Sequence, residues 1–167
     1  MLLVTISEVI SYITCNIMVN KKKGNINNEI SKVIKMYSSR GFYISDIFGD
    51  NEFNIDDIKT SVLPSKLQIC ASGEHVPKIE RSIRTIKERA RTMCHSLRYN
   101  CFPNIMSRVI VATAIQWINA FHSSGGTIGN YSPALILEGS TNPDCNRKRL
   151  TFGSYAHVYD PTAANTH

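Results

Sequence analysis

Two acidic residues occupy positions from which carboxylates often hold a divalent cation. Asp50 lies in the turn signal Gly49-Asp50-Asn51, just after a β-favouring run, and Glu80 lies in the first turn of a helix that Pro77 opens. Carboxylates suit Mg²⁺ and Mn²⁺, ions that assist phosphodiester chemistry. The pair therefore indicates metal-assisted chemistry. The structural alternative is a turn residue and a helix-dipole carboxylate that pairs with Arg84.

The helix that carries Glu80 is strongly basic. Seven basic residues lie between positions 78 and 98, against the acidic Glu80 and Glu88. Such a face attracts phosphates, although it also fits an anionic membrane surface or a solvated helix. The residues that we predict to bind nucleic acid are Lys78, Arg81, Arg84, Lys87 and Arg91.

The histidine and cysteine residues give weaker indications of a functional site than the carboxylates and the basic helix. His75 precedes the basic helix and is either a polar loop residue or a group that positions a phosphate or a metal-bound water. Cys94 and His95 are neighbours on a helix and point apart, which argues against a nucleophile pair. The five cysteines show no zinc-site spacing and no disulfide pattern, so a reduced compartment is expected.

Length and composition are those of one globular domain. The chain has 167 residues and is 43% apolar, which is enough for a core without disulfides or a structural metal. Its net charge of +6 suits a polyanionic partner. The apolar run at residues 1–14 is interrupted by Glu8 and is shorter than the roughly 18 to 20 residues that span a bilayer, so we expect a strand and no membrane partner.

The elements that would position these side chains follow an α/β order. Strands are predicted at Leu2 to Ile6, Ser11 to Met18, Phe42 to Phe48 and Leu67 to Cys70. An amphipathic helix runs from Ile26 to Tyr37 with Gly41 as its stop, and a short one covers Asn54 to Thr60. A β-rich first half followed by helices indicates one α/β domain.

Two long helices complete the chain's regular part. From Lys78 onward an apolar stripe of Ile79, Ile83, Ile86, Ala90, Met93 and Leu97 predicts one packed face. The next helix, Asn104 to Phe121, is apolar nearly all round, so it is either buried or half buried with a subunit interface. Beyond it lie a short apolar segment, Ala134 to Leu137, and a possible strand, Tyr155 to Tyr159.

The order of short motifs resembles the integrase core of copia-type (Ty1/copia) retrotransposon polyproteins. The resemblance runs through Leu3 to Ser7, Arg40-Gly41-Phe42, Gly49 to Phe53, Trp117-Ile118-Asn119, Ser132-Pro133, Leu137-Glu138-Gly139 and Phe152 to Tyr155. Its most specific part is Glu74-His75-Val76-Pro77 running into Ile79 to Arg89. It covers nearly the whole chain.

The resemblance implies a ribonuclease H-like fold, a mixed sheet with flanking helices. In that family an Asp, Asp, Glu triad binds two metal ions, Mg²⁺ or Mn²⁺, for DNA end processing and strand transfer. By motif Asp50 matches the second aspartate and Glu80 the glutamate. The first aspartate belongs to a strand upstream of the segment that Leu2 to Ser7 resembles, so the resemblance implies that this ligand and strand are absent, that unpaired sheet edges remain, and that the chain is catalytically incomplete.

From this resemblance we expect a partial catalytic core at residues 1–122 and an irregular, truncated C-terminal extension at 123–167. The expected partners are retroelement ends and target DNA, in the nucleus or the cytoplasm, with homo-oligomers formed through helix 104–121. The alternative hypothesis is a non-catalytic nucleic-acid-binding protein that uses the basic helix at 78–98 and keeps Asp50 and Glu80 for structure alone.

Overall fold

The structure, a computed structural model, describes residues 1–18, 20, 22–50, 53, 56–70, 77–99, 101–121, 131–139 and 152–154. His75 and the strand predicted at Tyr155 to Tyr159 lie outside the described residues. No helix among the described residues is long and apolar enough to cross a membrane.

The chain opens with an antiparallel hairpin. Strand β1 (Leu2–Ile6) pairs with β2 (Ile13–Ile17), as the β-branched composition of both segments predicts. The turn between them is closed by the Ser7 N–H, which donates to the Tyr12 carbonyl at 3.0 Å. Thr5 and Thr14 face each other across the pair with their hydroxyl oxygens 2.6 Å apart.

Helix α1 (Lys23–Ser39) buries one face beneath the sheets and ends at a glycine. Gly41 has φ of +80°, which a residue with a Cβ adopts only at a cost. Its N–H donates to the Ser38 carbonyl and the Phe42 N–H donates to the Tyr37 carbonyl. These are the two bonds of a Schellman cap, so the predicted stop at Gly41 is confirmed.

A second, parallel pair follows. Strand β3 (Asp46–Gly49) is connected through helix α2 (Asp56–Ser61) to β4 (Lys66–Ile69). The strand expected from Phe42 onward was predicted to begin too early. Phe42 and Ile44 instead pack without strand pairing beside Tyr37, whose ring lies 6.5 Å from that of Phe42 in an edge-on arrangement.

The second half is helical, with α3 (Pro77–His95), α4 (Asn104–Ala120) and α5 (Pro133–Glu138). Helix α3 packs on α4 and on β1. The predicted stripe on α3 is confirmed, because its members are partly or fully buried. Helix α4 is half buried: Ile110 and Ile115 are covered, whereas Ile105 is 61% and Val109 45% exposed.

Two apolar clusters sandwich the hairpin. On one side, Leu3 joins Ile26, Ile30, Ile58 and Val62 in a cluster against which Ile47 and Leu67 also pack, hereafter the α1-side cluster. The opposite side holds the α3-side cluster, in which Ile13 meets Ile86 and Ile115, with Val4 and Ile6 beside them. The expected mixed α/β class is confirmed, with the antiparallel and parallel pairs in separate two-stranded sheets.

Candidate functional site: two carboxylates and a basic helix

Asp50 stands where the sequence analysis expected it, directly after the last residue of β3. It is exposed, and its carbonyl accepts the Phe53 N–H at 2.8 Å, which turns the chain away from the strand. Side chains alternate along a strand, so within β3 Asp46 and Phe48 share one face, while Ile47 packs against the α1-side cluster.

Glu80 lies in the first turn of α3 and is exposed. A carboxylate at this position complements the partial positive charge of the helix N-terminus. The helix itself covers the side of the hairpin opposite to α1, because Ile86 is buried with Ile13 in the α3-side cluster. Glu80 therefore lies on the α3 side of the hairpin.

These two carboxylates would supply only some of the ligands that a metal site needs. Within the ranges that the structure describes, no group of three or more His, Cys, Asp or Glu side chains could hold a metal ion. Asp46, four residues before Asp50, is engaged by its neighbours. Hydrogen bonds from Ser45 and from Gln68, the latter at 2.8 Å, hold the pKa of Asp46 below its usual value.

Three of the five predicted nucleic-acid-binding residues gather with Glu80. Arg84, Lys87 and Arg91 recur at the spacing of one helical face, and with Ile83 and Glu88 they line an open depression of about 290 Å³ that begins at Glu80. Basic residues outnumber acidic ones there by one. All the lining residues belong to α3, so the depression runs along the exposed face of this one helix.

The other two predicted residues lie elsewhere on α3. Arg81 is exposed but does not line the depression. Lys78 projects from the opposite side of the helix, where its ammonium donates to the Glu8 carbonyl in the hairpin turn. Burial lowers the pKa of Lys78, an effect that Glu8 partly offsets. The structure therefore gives Lys78 a contact that fastens α3 to the hairpin.

Some features of the site were missed in the sequence. Glu88 was counted only as part of the charge balance, although its helical spacing from Arg84 and Arg91 would have identified it as a neighbour. The contact between Lys78 and the Glu8 carbonyl spans 70 positions and has no local signal. Phe48, which is 52% exposed and lies two residues before Asp50, was treated only as an apolar strand residue.

Comparison with known proteins completes the description of the fold. No protein-family model and no curated protein matches this sequence. Among solved structures, a similar one is the crystal structure of the catalytic core domain of BIV integrase in crystal form I, with a TM-score of 0.57 and 15% sequence identity over 81% of this chain and 84% of that chain. The fold is that of an integrase catalytic core.

This integrase-core fold confirms the ribonuclease H-like architecture that the sequence resemblance implied. A likeness at this level of identity concerns the fold, and fold by itself does not assign an activity. The assignment of function therefore depends on Asp50, Glu80 and the α3 depression.

Proposed function

We propose that this chain is a partial catalytic core of a copia-type retrotransposon integrase, which binds retroelement ends and target DNA in the nucleus or the cytoplasm. The observation that carries the proposal is the alignment of Glu80 with Arg84, Lys87 and Arg91 along one depression of α3. Support at the level of fold comes from the likeness to an integrase core.

In this proposal the basic residues of α3 bind the DNA backbone, and the two carboxylates lie where the bound phosphate would meet a metal ion. Arginine forks and the lysine ammonium contact phosphate oxygens without reading bases, so binding is expected to be independent of sequence. A phosphate that follows the depression meets Glu80 at its end. Because the carboxylates of Glu80 and Asp50 and the phosphate are all negatively charged, a cation is needed between them.

Asp50 and Glu80 are the residues that would hold Mg²⁺ or Mn²⁺, which when bound activates an attacking oxygen and stabilises the leaving one. With two carboxylates we expect weak metal binding. We also expect no useful strand transfer from this chain alone, because an in-line displacement that lacks part of its charge clamp is slowed by orders of magnitude.

Manganese binding tests the carboxylates without requiring activity. Titration with Mn²⁺, followed by its electron paramagnetic resonance signal, should show weak binding that Asp50→Asn or Glu80→Gln reduces about tenfold or more. The matched controls are Asp46→Asn, in β3, and Glu88→Gln, in the same depression as Glu80. Equal effects of controls and site variants would remove the metal from the proposal.

Salt dependence of DNA binding tests the basic residues. The triple variant Arg84→Gln, Lys87→Gln, Arg91→Gln should lower the slope of log affinity against log salt by roughly 2 to 3, since each phosphate contact contributes about 0.9. A control of the same charge change is Lys32→Gln, Lys35→Gln, Lys66→Gln, all exposed and off α3. If both triples lose the same slope, the chain's overall charge is responsible and α3 is not the DNA surface.

The second candidate is a non-catalytic nucleic-acid-binding protein that uses α3. It requires only the exposed basic residues of α3, namely Arg81, Arg84, Lys87 and Arg91. In that case Glu80→Gln leaves DNA binding unchanged or strengthens it by removing a negative charge, and Mn²⁺ has no effect on the affinity. The two candidates therefore differ in the Mn²⁺ dependence of DNA binding.

A homo-oligomer formed through α4 is part of the first proposal. Ile105, Val109, Ala112 and Gln116 are exposed and recur at i, i+4, i+7 and i+11, which aligns them along one face of the helix. A second copy that packs the same stripe against this one would cover it symmetrically.

A further inference from the structure

Helix α3 continues past the depression that its basic residues line. The lining residues end at Arg91, whereas the helix ends at His95. Successive residues of an α-helix are turned by about 100°, so His95 lies about 40° from Arg91 and about 20° from Arg84 around the helix axis. The charged lining residues themselves span roughly 100° of arc, between Lys87 and Glu88. His95 therefore lies on the same face as the depression, one helical turn beyond it.

This face of α3 is open to solvent along its length. His95 is exposed, as are Arg84, Lys87 and Arg91. The packed side of the helix is the opposite one: Ile86, which is buried in the α3-side cluster, lies about 180° from His95 around the axis. A ligand that approaches the depression from solution therefore also meets the His95 ring.

A proton on His95 is a large change for a face with so little net charge. The depression is lined by three basic and two acidic side chains, so positive charges exceed negative ones by one. One further positive charge doubles that excess. Histidine is the side-chain type whose charge ordinarily changes between roughly pH 5 and 8. His95 is therefore the residue through which pH can adjust the attraction of this face for phosphate.

The other ionisable groups around His95 are few, and none is a second histidine. Strand β1, on which α3 packs, carries no ionisable side chain, and α4 carries one. Strand β2 meets α3 through the α3-side cluster and adds one thiol, whose pKa is raised by burial. Together with the neighbours on α3 and on the turn after it, the described groups are Glu88, Arg91, Arg98, Tyr99, Arg108 and Cys15.

We propose that the DNA-binding surface of α3 extends to His95, and that protonation of this side chain adds a phosphate contact which makes duplex DNA bind more tightly at mildly acidic pH. This inference deepens the proposed DNA binding and rests on it. From Glu80 to His95 the helix extends about 22 Å, and a duplex presents one phosphate charge for about every 1.7 Å of its axis. Phosphates are therefore available along the whole face, and their contacts do not depend on base sequence.

The affinity of the full chain for one duplex of unrelated sequence, measured at about pH 5.5 and about pH 8 and at several salt concentrations, tests the proposal. Circular dichroism at both pH values verifies that the chain is folded. In low salt the parent should bind roughly three- to tenfold more tightly at the lower pH. The slope of log affinity against log salt should steepen there by up to about 0.9, the contribution of one phosphate contact.

Two substitutions at position 95 isolate the proton. His95→Gln should bind as the parent does at pH 8 and should lose the pH effect, because its side chain gains no proton. His95→Lys has a permanent charge, so it should show the tighter binding and the steeper salt slope at both pH values. Its measurement at pH 8 tests the extra contact without acid.

A matched control moves the histidine to another face of the helix. Ser96 is exposed, and its N–H donates to the Thr92 carbonyl at 3.1 Å, so it continues the helical turn. The double variant His95→Gln, Ser96→His keeps the number of histidines but places the ring about 100° away around the axis. We expect this variant to lose the pH effect.

Failure of this inference and failure of the proposed function give different results. If the parent binds DNA in a salt-dependent way but shows no pH effect, or if His95→Gln keeps that effect, the role of His95 is overturned and the DNA surface of α3 remains. A pH effect that survives in the double variant overturns it as well, because the face would not matter. Absence of salt-dependent DNA binding at both pH values overturns the proposed function and this inference together.

Discussion

Asn119 is the residue whose side chain most clearly substitutes for missing secondary structure. It is buried at the end of α4 and satisfies both backbone groups of Ile13, 106 positions earlier in the chain. Asn119→Ala leaves a buried donor and a buried acceptor without partners, which should reduce the free energy of unfolding by roughly 2 to 4 kcal/mol. That corresponds to a fall in Tm of about 6 to 12 °C for a chain of this size.

Urea or thermal unfolding measures this loss, and Asn28→Ala on the exposed face of α1 serves as the control. Asn119→Asp is a sharper variant, because a carboxylate still accepts from the Ile13 N–H but cannot donate to the carbonyl. We expect it to be at least as destabilising as alanine. A neutral Asn119→Ala would mean that water replaces the amide at no cost.

Tyr37 makes the free energy of unfolding depend on pH in the alkaline range. Its hydroxyl is buried without a well-formed hydrogen bond, and burial raises the pKa of Tyr37 to about 12, with Ser7 opposing slightly. The unfolded chain ionises this group near pH 10 and the folded chain does not. Stability is therefore full below pH 10 and falls as the pH rises toward 12, by about 1.4 kcal/mol per pH unit for this group.

Unfolding in urea at several pH values between 8 and 12 would reveal this slope. Tyr37→Phe should reduce it and should cost little at neutral pH, because it removes an unsatisfied buried hydroxyl. Tyr43→Phe, at an exposed ring, is the control and should leave the slope unchanged. The pKa of Tyr12 is raised too, by burial and then by Glu138, so part of the slope should survive in Tyr37→Phe.

At the scale of elements, the sequence predicted the features that depend on neighbouring residues alone, such as helix ends and helical apolar stripes. The Gly41 stop of α1 depends on positive φ at one residue, and the stripe on α3 depends on helical periodicity, so the sequence was sufficient for both. The start of β3 was misplaced because Phe42 and Ile44 have strand-like composition but are held by packing against Tyr37. The positions of Asp50 and Glu80 in their elements were predictable, whereas the Lys78 contact with Glu8 required the tertiary fold.

The exposed stripe of α4 gives a prediction about association. Val109→Glu places a charge in the centre of the stripe and should convert any oligomer into monomer, because a charge buried without a partner costs several kcal/mol. Light scattering coupled to size-exclusion chromatography at several concentrations measures the mass. Ser107→Glu, exposed on another side of the same helix, is the control. A strictly monomeric parent chain would rule out the interface.

At the scale of the whole molecule, the α1 side and the α3 side of the hairpin differ in what they expose. Helix α1 covers one face of both sheets with a continuous apolar cluster. On the other side of the hairpin, α3 buries Ile86 in the α3-side cluster, while its Arg84, Lys87 and Arg91 are exposed. The core therefore lies on both sides of the hairpin, and the candidate functional surface is the outward face of α3.

The last prediction concerns how far the folded body extends beyond residue 122. Leu137 of α5 is 3% exposed and packs in a cluster with Ile10, Val33 and Tyr37. The next residue, Glu138, adds two hydrogen bonds to the first part of the chain. Its carboxylate accepts from the Tyr12 hydroxyl at 2.7 Å, and its backbone carbonyl accepts from the Arg40 guanidinium at 2.8 Å. Leu137→Ala should therefore lower the free energy of unfolding by about 2 to 5 kcal/mol while the transition remains single.

Leu135→Ala, at a half-buried position outside that cluster, is the control and should cost clearly less. The measurement is urea unfolding followed by both circular dichroism and the fluorescence of Trp117. Coincident transitions with a large loss in Leu137→Ala would mean that α5 unfolds together with residues 1–122. A negligible loss, or an early separate transition, would instead support the predicted boundary near residue 122, with the C-terminal segment as an extension that contributes little to the core.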